Sequence, residues 1–312
     1  MRQRSDLDPK ELSDEIKALR AEVDRMSEER HKDRLKQIVD SPNIPDGLTQ
    51  AIKCSSEKGA SSWVTASPSF DHGTVLQKGQ FVDACCIRYG WTLSDLPLKC
   101  ACGLNFSLQH ALDCQLGGLR TIQHNEVRDV LAQCMREAGH SLVETEPQLQ
   151  PLTGEGFHYK SANKDDEARS DIKCYGFWST MRQAYFDIRV ISPLARSYAH
   201  MNPTQLYNHA EKEKIRQYRE RILQVEHADF NPLVFSCTGG MAPQSMIVMK
   251  RLSEKMAKKL DISQSVVSGW LRCRLSFALL RTTLLCVRAT RYKRRTIENN
   301  VELAVSEAHI KY

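Results

Sequence analysis

The sequence predicts a mixed α/β protein, and three observations carry that expectation. Four short runs rich in β-branched and aromatic residues (141–146, 171–177, 184–191 and 233–237) are separated by turn-forming or polar stretches. Two longer stretches, 122–138 and 203–225, show helical rather than alternating periodicity, so the order is helix, strand, strand, strand, helix, strand. That order suits helices packed against one mixed sheet. Finally, 41% of the 312 residues are hydrophobic and only 15 are Gly and 11 Pro, which supports a real core and excludes collagenous, low-complexity or wholly disordered chains.

Ahead of this core, residues 8–39 read as one helix, with Leu12, Ile16, Leu19, Val23 and Met26 at spacings of three and four. Ten bases and eleven acids in residues 1–40 nearly cancel, as in a solvated helix or short coiled coil through which chains could self-associate. The breaker cluster Ser41-Pro42-Asn43-Ile44-Pro45-Asp46-Gly47 reads as a linker. Residues 46–58 and 77–90 read as helices of a connector over 41–96, and 154–168 as a polar loop. After Gly239-Gly240 the chain reads helical to about Arg295.

The formal net charge of +6 is unevenly spread. Residues 250–295 hold thirteen Lys/Arg against two acids, Glu254 and Asp261, a density that points to a polyanionic partner such as nucleic acid. Arg272, Arg274, Arg281, Arg291, Lys293, Arg294 and Arg295 are the candidate phosphate contacts. The first eight residues have no apolar core, and the apolar stretch 277–289 is broken by Arg281 and Arg288, so neither a secretory signal nor a membrane span is expected. A nuclear or cytoplasmic location follows. The eleven cysteines, an odd number, then suggest metal ligation or buried thiols more than a disulfide framework.

Four ligand-type residues fall together after Pro97: Cys100, Cys102, His110 and Cys114. Three thiolates and an imidazole match the tetrahedral S/N preference of zinc, and a closed set of this kind is structural. Gly103 permits the turn after Cys102, and His110 and Cys114 share a helical face.

The core carries a second constellation. Asp171 opens one β-like run, and Asp187 lies inside another, Tyr185-Phe186-Asp187-Ile188-Arg189-Val190-Ile191. A carboxylate among aromatic and β-branched residues must be paired or bind a metal. It could pair with Arg189, two positions on along the same face. Alternatively, the two aspartates on adjacent strands would hold a divalent cation such as Mg²⁺, whose chemistry assists phosphoryl transfer. Lys214 and Tyr218 lie one turn apart on the 203–225 helix, among Lys212, Arg216, Arg219 and Arg221, and a lysine there could orient a nucleophile. Glu126 and Glu146 are further ligand candidates.

These residues, in this order, resemble the C-terminal part of site-specific non-LTR retrotransposon proteins, which carry a restriction-like endonuclease of the PD-D/E-x-K superfamily. The knuckle looks like Cys100, Cys102, His110 and Cys114. The Arg-His-Asn tripeptide looks like Gln123-His124-Asn125, and the Lys/Arg-Pro-Asp strand like Arg169-Ser170-Asp171. The second acidic strand looks like Phe186-Asp187-Ile188, and Lys-x-x-x-Tyr like Lys214 to Tyr218. Gln and Ser stand where the family has Arg and Pro. The similarity covers roughly residues 97–240, without the family's reverse transcriptase.

The resemblance implies a restriction-endonuclease-like mixed sheet flanked by helices over 119–240, preceded by a zinc knuckle over 97–118 and followed by a basic helical segment over 241–312. It implies a Mg²⁺-dependent nickase of DNA, with Asp171 and Asp187 as metal ligands, Glu126 or Glu146 completing the site, and Lys214 and Tyr218 in support. His124, Asn125 and Arg189 would contact nucleic acid, with RNA of the parent element as a second partner. The alternative is a zinc-containing nucleic-acid-binding remnant without turnover.

Overall fold

A computed structural model describes residues 9–41, 44, 46–150, 169–195, 198, 201–289 and 291. The chain divides into two compact units, Met1–Thr49 and Gln50–Tyr312. The first is dominated by a single helix, α1 (Pro9–Val39).

The second unit contains α3 (Ser62–Thr65), α4 (Lys78–Tyr89), α5 (Leu108–Asp113) and α6 (Leu119–Glu137); α2 (Asp46–Ser55) bridges the unit boundary. Strands β1 (Val143–Thr145), β2 (Ile172–Tyr175) and β3 (Gln183–Ile191) follow, then α7 (Pro203–Gln224), β4 (Asp229–Ser236), α8 (Pro243–Leu260) and α9 (Gln264–Arg288). The sheet order is β1-β2-β3-β4, with β1, β2 and β3 antiparallel in sequence and β4 parallel to β3. A parallel pair needs a crossover, and α7 supplies it. Asn202 starts α7 with a capping box, its side chain accepting from Gln205 N at 2.8 Å.

Strand β3 is central, and its two faces serve different helices. Ala184, Phe186, Ile188 and Val190 join the main core with α6, α8 and α9, whereas Ile191 packs with Leu206, Tyr207 and Ala210 of α7. Burial on both sides explains why this strand reads as a nearly continuous apolar run. The odd-numbered face is therefore the α7 face, and Asp187 and Arg189 lie on it.

Within the stretch expected to be basic and helical, residues 241–289 form α8 and α9, which are part of the core. Helices α8 and α9 share the main core with the sheet through Val248, Leu252, Leu271 and Leu275. The opposite side of α9 forms a second core with Trp63, Ala84, Ile87 and Leu93 through Phe277, Leu280 and Leu284. A helix that is apolar all round is a buried one. The helical stretch also breaks at Asp261, whose left-handed φ of 53° separates α8 from α9. The turn before α8 requires glycine at Gly239, which has φ +98° and where a Cβ would meet the Ala60 backbone at 3.0 Å.

Among the described residues no helix is long and apolar enough to cross a membrane. All eleven cysteines are free.

Candidate functional site

Two clusters of ligand-type side chains lie in the second unit. The first is local. Residues 99 and 105 pair across a small hairpin, in which Cys100 N donates to Leu104 O at 2.8 Å and Gly103 N to Cys100 O at 2.8 Å. Gly103 has φ +93°, a conformation that a side chain resists. Ser107 then caps α5, its hydroxyl accepting from His110 N at 3.1 Å, and Cys114 ends the same helix.

The ligand atoms of Cys100, Cys102, His110 and Cys114 consequently all lie within 4.8 Å of one another. The Sγ atoms of Cys100 and Cys114 are 3.8 Å apart, and Cys102 Sγ is 3.3 Å from His110 Nε2. A tetrahedral zinc ion with Zn–S near 2.3 Å and Zn–N near 2.05 Å sets these edges at about 3.8 and ~3.6 Å. The four residues can therefore close around one metal ion such as zinc. Burial pushes the Cys100 thiol up, but bonds from the Cys102 backbone, His110, Cys102 and Cys114 outweigh it and bring it down to about 6.

Two arginines fasten this cluster to the core. Arg120 donates to Leu112 O and, at 3.1 Å, to Val190 O of β3. Arg291 is buried, donates to Ala111 O at 2.9 Å, and lies over the Phe106 ring at 5.3 Å.

The second cluster is assembled across the sheet. In the β1–β2 register Thr145 faces Ile172, and in the β2–β3 register Ile172 faces Phe186. One step further, Glu146, Asp171 and Asp187 stand in a row just past the paired residues; Glu146, with a left-handed φ of 52°, leaves strand geometry there, and its N donates to Asp171 O at 2.9 Å.

Each acid in the row has a cationic or imidazole partner from a helix. Asp187 is buried, and Lys214 Nζ of α7 pairs with its Oδ2 at 2.7 Å. His124 Nε2 of α6 lies 2.9 Å from Asp171 Oδ1, while Asp171 Oδ2 accepts from Ile188 N. Arg128, one turn beyond His124, donates to Glu146 Oε1.

Burial raises the Asp187 carboxyl to about 6; the Lys214 charge opposes this and Asp171 reinforces it. Burial lowers Lys214 and His124, but their carboxylate partners prevail and hold both above their ordinary values.

Several expected roles change in this geometry. Arg189 does not pair with Asp187; it binds Glu213, whose carboxyl is held low by that hydrogen bond. Alternation alone made the first pairing plausible, but α7 offers each charge on β3 a nearer opposite. Glu126 is exposed on α6, and its charge acts on Arg281. His124 and Asn125, expected to meet nucleic acid, have internal partners in Asp171 and Arg128. Tyr218 carries the Lys214 ammonium 5.4 Å from its ring centroid and packs against Phe230.

Most of the candidate phosphate contacts on α9 are engaged by the fold. Arg274 pairs with Glu137 at 2.6 Å, and Arg281 donates to Gly73 O at 2.6 Å and Val75 O at 3.1 Å. Arg272 is half-buried, its stem against the backbone at Gly59. Lys293, Arg294 and Arg295 lie outside the described residues, as does the 154–168 loop.

Sequence reading missed Arg128, Glu213, Arg120 and the anchoring use of Arg291. Arg128 had a signal, since it lies four residues after His124 and shares its helical face.

Among the described residues, the Cys/His cluster forms the one group of three or more metal-type ligands within reach of a single ion. No protein-family model and no curated protein matches the chain.

Proposed function

We propose that the second unit is a Mg²⁺-dependent DNA endonuclease domain of the restriction-like type, stabilised by a zinc ion on Cys100, Cys102, His110 and Cys114 and related to the nucleases of non-LTR retrotransposons. The observation that carries this reading is the row Glu146–Asp171–Asp187 with Lys214 reaching Asp187 from α7. A buried carboxylate beside a second carboxylate is a donor set that suits a hard cation. Asp171 and Asp187 would hold it, and the bound cation would stabilise charge developing on a phosphoryl oxygen. Lys214 would turn from Asp187 toward the phosphate, with Tyr218 bracing its ammonium.

Exposed Lys212, Arg216 and Arg219 on the same helix supply positive charge for the DNA backbone, giving affinity that falls with salt and carries no sequence information. They suit this role better than the arginines of α9, which the core already uses.

One observation favours a second reading, a nucleic-acid-binding domain without turnover. Glu146 is tied to Arg128 and Glu126 is drawn toward Arg281, so a third carboxylate is not at hand.

Nicking of supercoiled plasmid in Mg²⁺ separates the two. The first reading expects nicking that chelation abolishes and that Asp187→Ala reduces by about 10²–10³-fold, the range for losing one key electrostatic contact. Nicking no faster than in Asp187→Ala, with DNA binding intact, establishes the second.

A further inference from the structure

The charge pattern of α1 points to a role independent of the nuclease reading: we propose that α1 pairs with α1 of a second copy of this chain as a parallel, in-register, two-stranded coiled coil. Leu12, Ile16, Leu19, Val23 and Met26 alternate spacings of four and three, and all five are between 41% and 61% exposed along one stripe of the helix. These are the d, a, d, a, d positions of a heptad repeat. The a positions, Ile16 and Val23, are β-branched, and Leu12 and Leu19 occupy d, the distribution that favours two parallel strands.

The flanking charges decide orientation. The g positions are Glu15, Glu22 and Glu29; the e positions are Ser13, Arg20, Ser27 and Arg34. In a parallel in-register pair each g faces the e five residues later on the other copy. Glu15 then meets Arg20, Glu22 meets Ser27, and Glu29 meets Arg34, twice over by symmetry, with no like charges opposed. In an antiparallel pair g faces g and e faces e, which sets Glu against Glu and Arg against Arg. The helix is thus complementary to itself in one orientation only.

Intrahelical ion pairs support the helix itself, two of them at the g-position acids. Lys17 pairs with Asp14 at 2.9 Å, and Arg25 braces Glu22 at 2.6 Å and Glu29 at 3.8 Å. After Met26 the next a and d positions are Arg30 and Asp33, so the apolar seam is short. The dimer should therefore be reversible and concentration-dependent.

Sedimentation of the full chain over a wide concentration series tests this. The expected result is a shift from one chain to two. Leu19→Lys should raise the dissociation constant roughly 100-fold, because it removes two buried leucines and inserts charge. Glu15→Lys/Glu29→Lys, which leaves the seam untouched, should raise it about 10-fold, and adding Arg20→Glu/Arg34→Glu to the same chain should restore it. A monomer at every concentration, or a dimer indifferent to Leu19→Lys, overturns the proposal. Tighter association of Glu15→Lys/Glu29→Lys also overturns it, because residues 15 and 29 then cannot be facing Arg20 and Arg34.

Discussion

The Cys/His cluster and the acid row bring ligand-type side chains together by opposite routes. The first draws four residues from one fifteen-residue stretch, held by a hairpin, a glycine with positive φ and a capped helical turn. The second draws six residues from β3, from the segments flanking β1 and β2, and from two helices, and strand pairing brings them together. A local cluster of this kind can close around one metal ion, whereas a cross-sheet cluster depends on the partners that neutralise it.

Metal removal should produce the largest difference between them. Purified protein should carry about one equivalent of zinc, lost in Cys102→Ser and on strong chelation, with a fall in thermal midpoint greater than in any variant below; a structural zinc contributes on the order of 10 kcal/mol in small peptides. Protein with no bound metal and no response to chelation would break the comparison at its first term.

Next in size is the buried ion pair. Asp187→Ala leaves the Lys214 ammonium, 19% exposed, without its counter-charge and should cost about 3–5 kcal/mol in urea unfolding. The double variant Asp187→Leu/Lys214→Met should lie near wild type, because no charge is then left buried alone. Equal losses in the single and double variants would show that the site is held by packing.

Arg291→Ala should cost about 1–3 kcal/mol, the scale of a buried hydrogen bond left unmade, and should speed zinc release to a colorimetric chelator. Unchanged release would mean that the hairpin alone holds the cluster.

Smallest is the pH response, which places two buried groups in opposition. Burial, then the nearby Lys255 charge, pushes His140 from 6.5 down to about 4. A base lowered on folding contributes stability that is complete above about 6.5 and is lost as pH falls toward 4. Asp187 is an acid raised from 3.8 to about 6, so its contribution is complete below 3.8 and is lost as pH rises through 6. His140→Phe, which can keep the stack on Phe177, should flatten the acid-side loss seen in urea midpoints between neutral pH and pH 4. Asp187→Asn should steepen it. An unchanged profile in His140→Phe would assign the acid sensitivity to other groups.

The element order was legible because period carries it. The expected stretch 203–225 meets α7 at Pro203–Gln224, and each of the four β-like runs meets a strand. Helix α3, of four residues, was not legible, since so short a segment shows no period. The Cys/His set was legible from spacing alone, because hairpin and cap operate over a few residues. Asp171, Asp187 and Lys214 could be named but not joined. Alternation along β3 put Asp187 and Arg189 on one face, and only α7 lying across that face gave Lys214 to the first and Glu213 to the second.

The arginines in and just after α9 teach the same lesson from the other side. A count of charge along the chain suggested a surface for phosphates, yet Arg288 grips Asp83 in a two-point contact at 2.5 and 2.6 Å, and Arg274, Arg281 and Arg291 bind groups from earlier segments. The sequence by itself determined what is short-ranged: periodicity, caps, turns, the metal-type cluster, and the heptad with its flanking charges on α1. Tertiary structure alone decided which charges meet. A buried charge takes the nearest opposite charge in space, and that neighbour is set by strand register and by the helix laid over it.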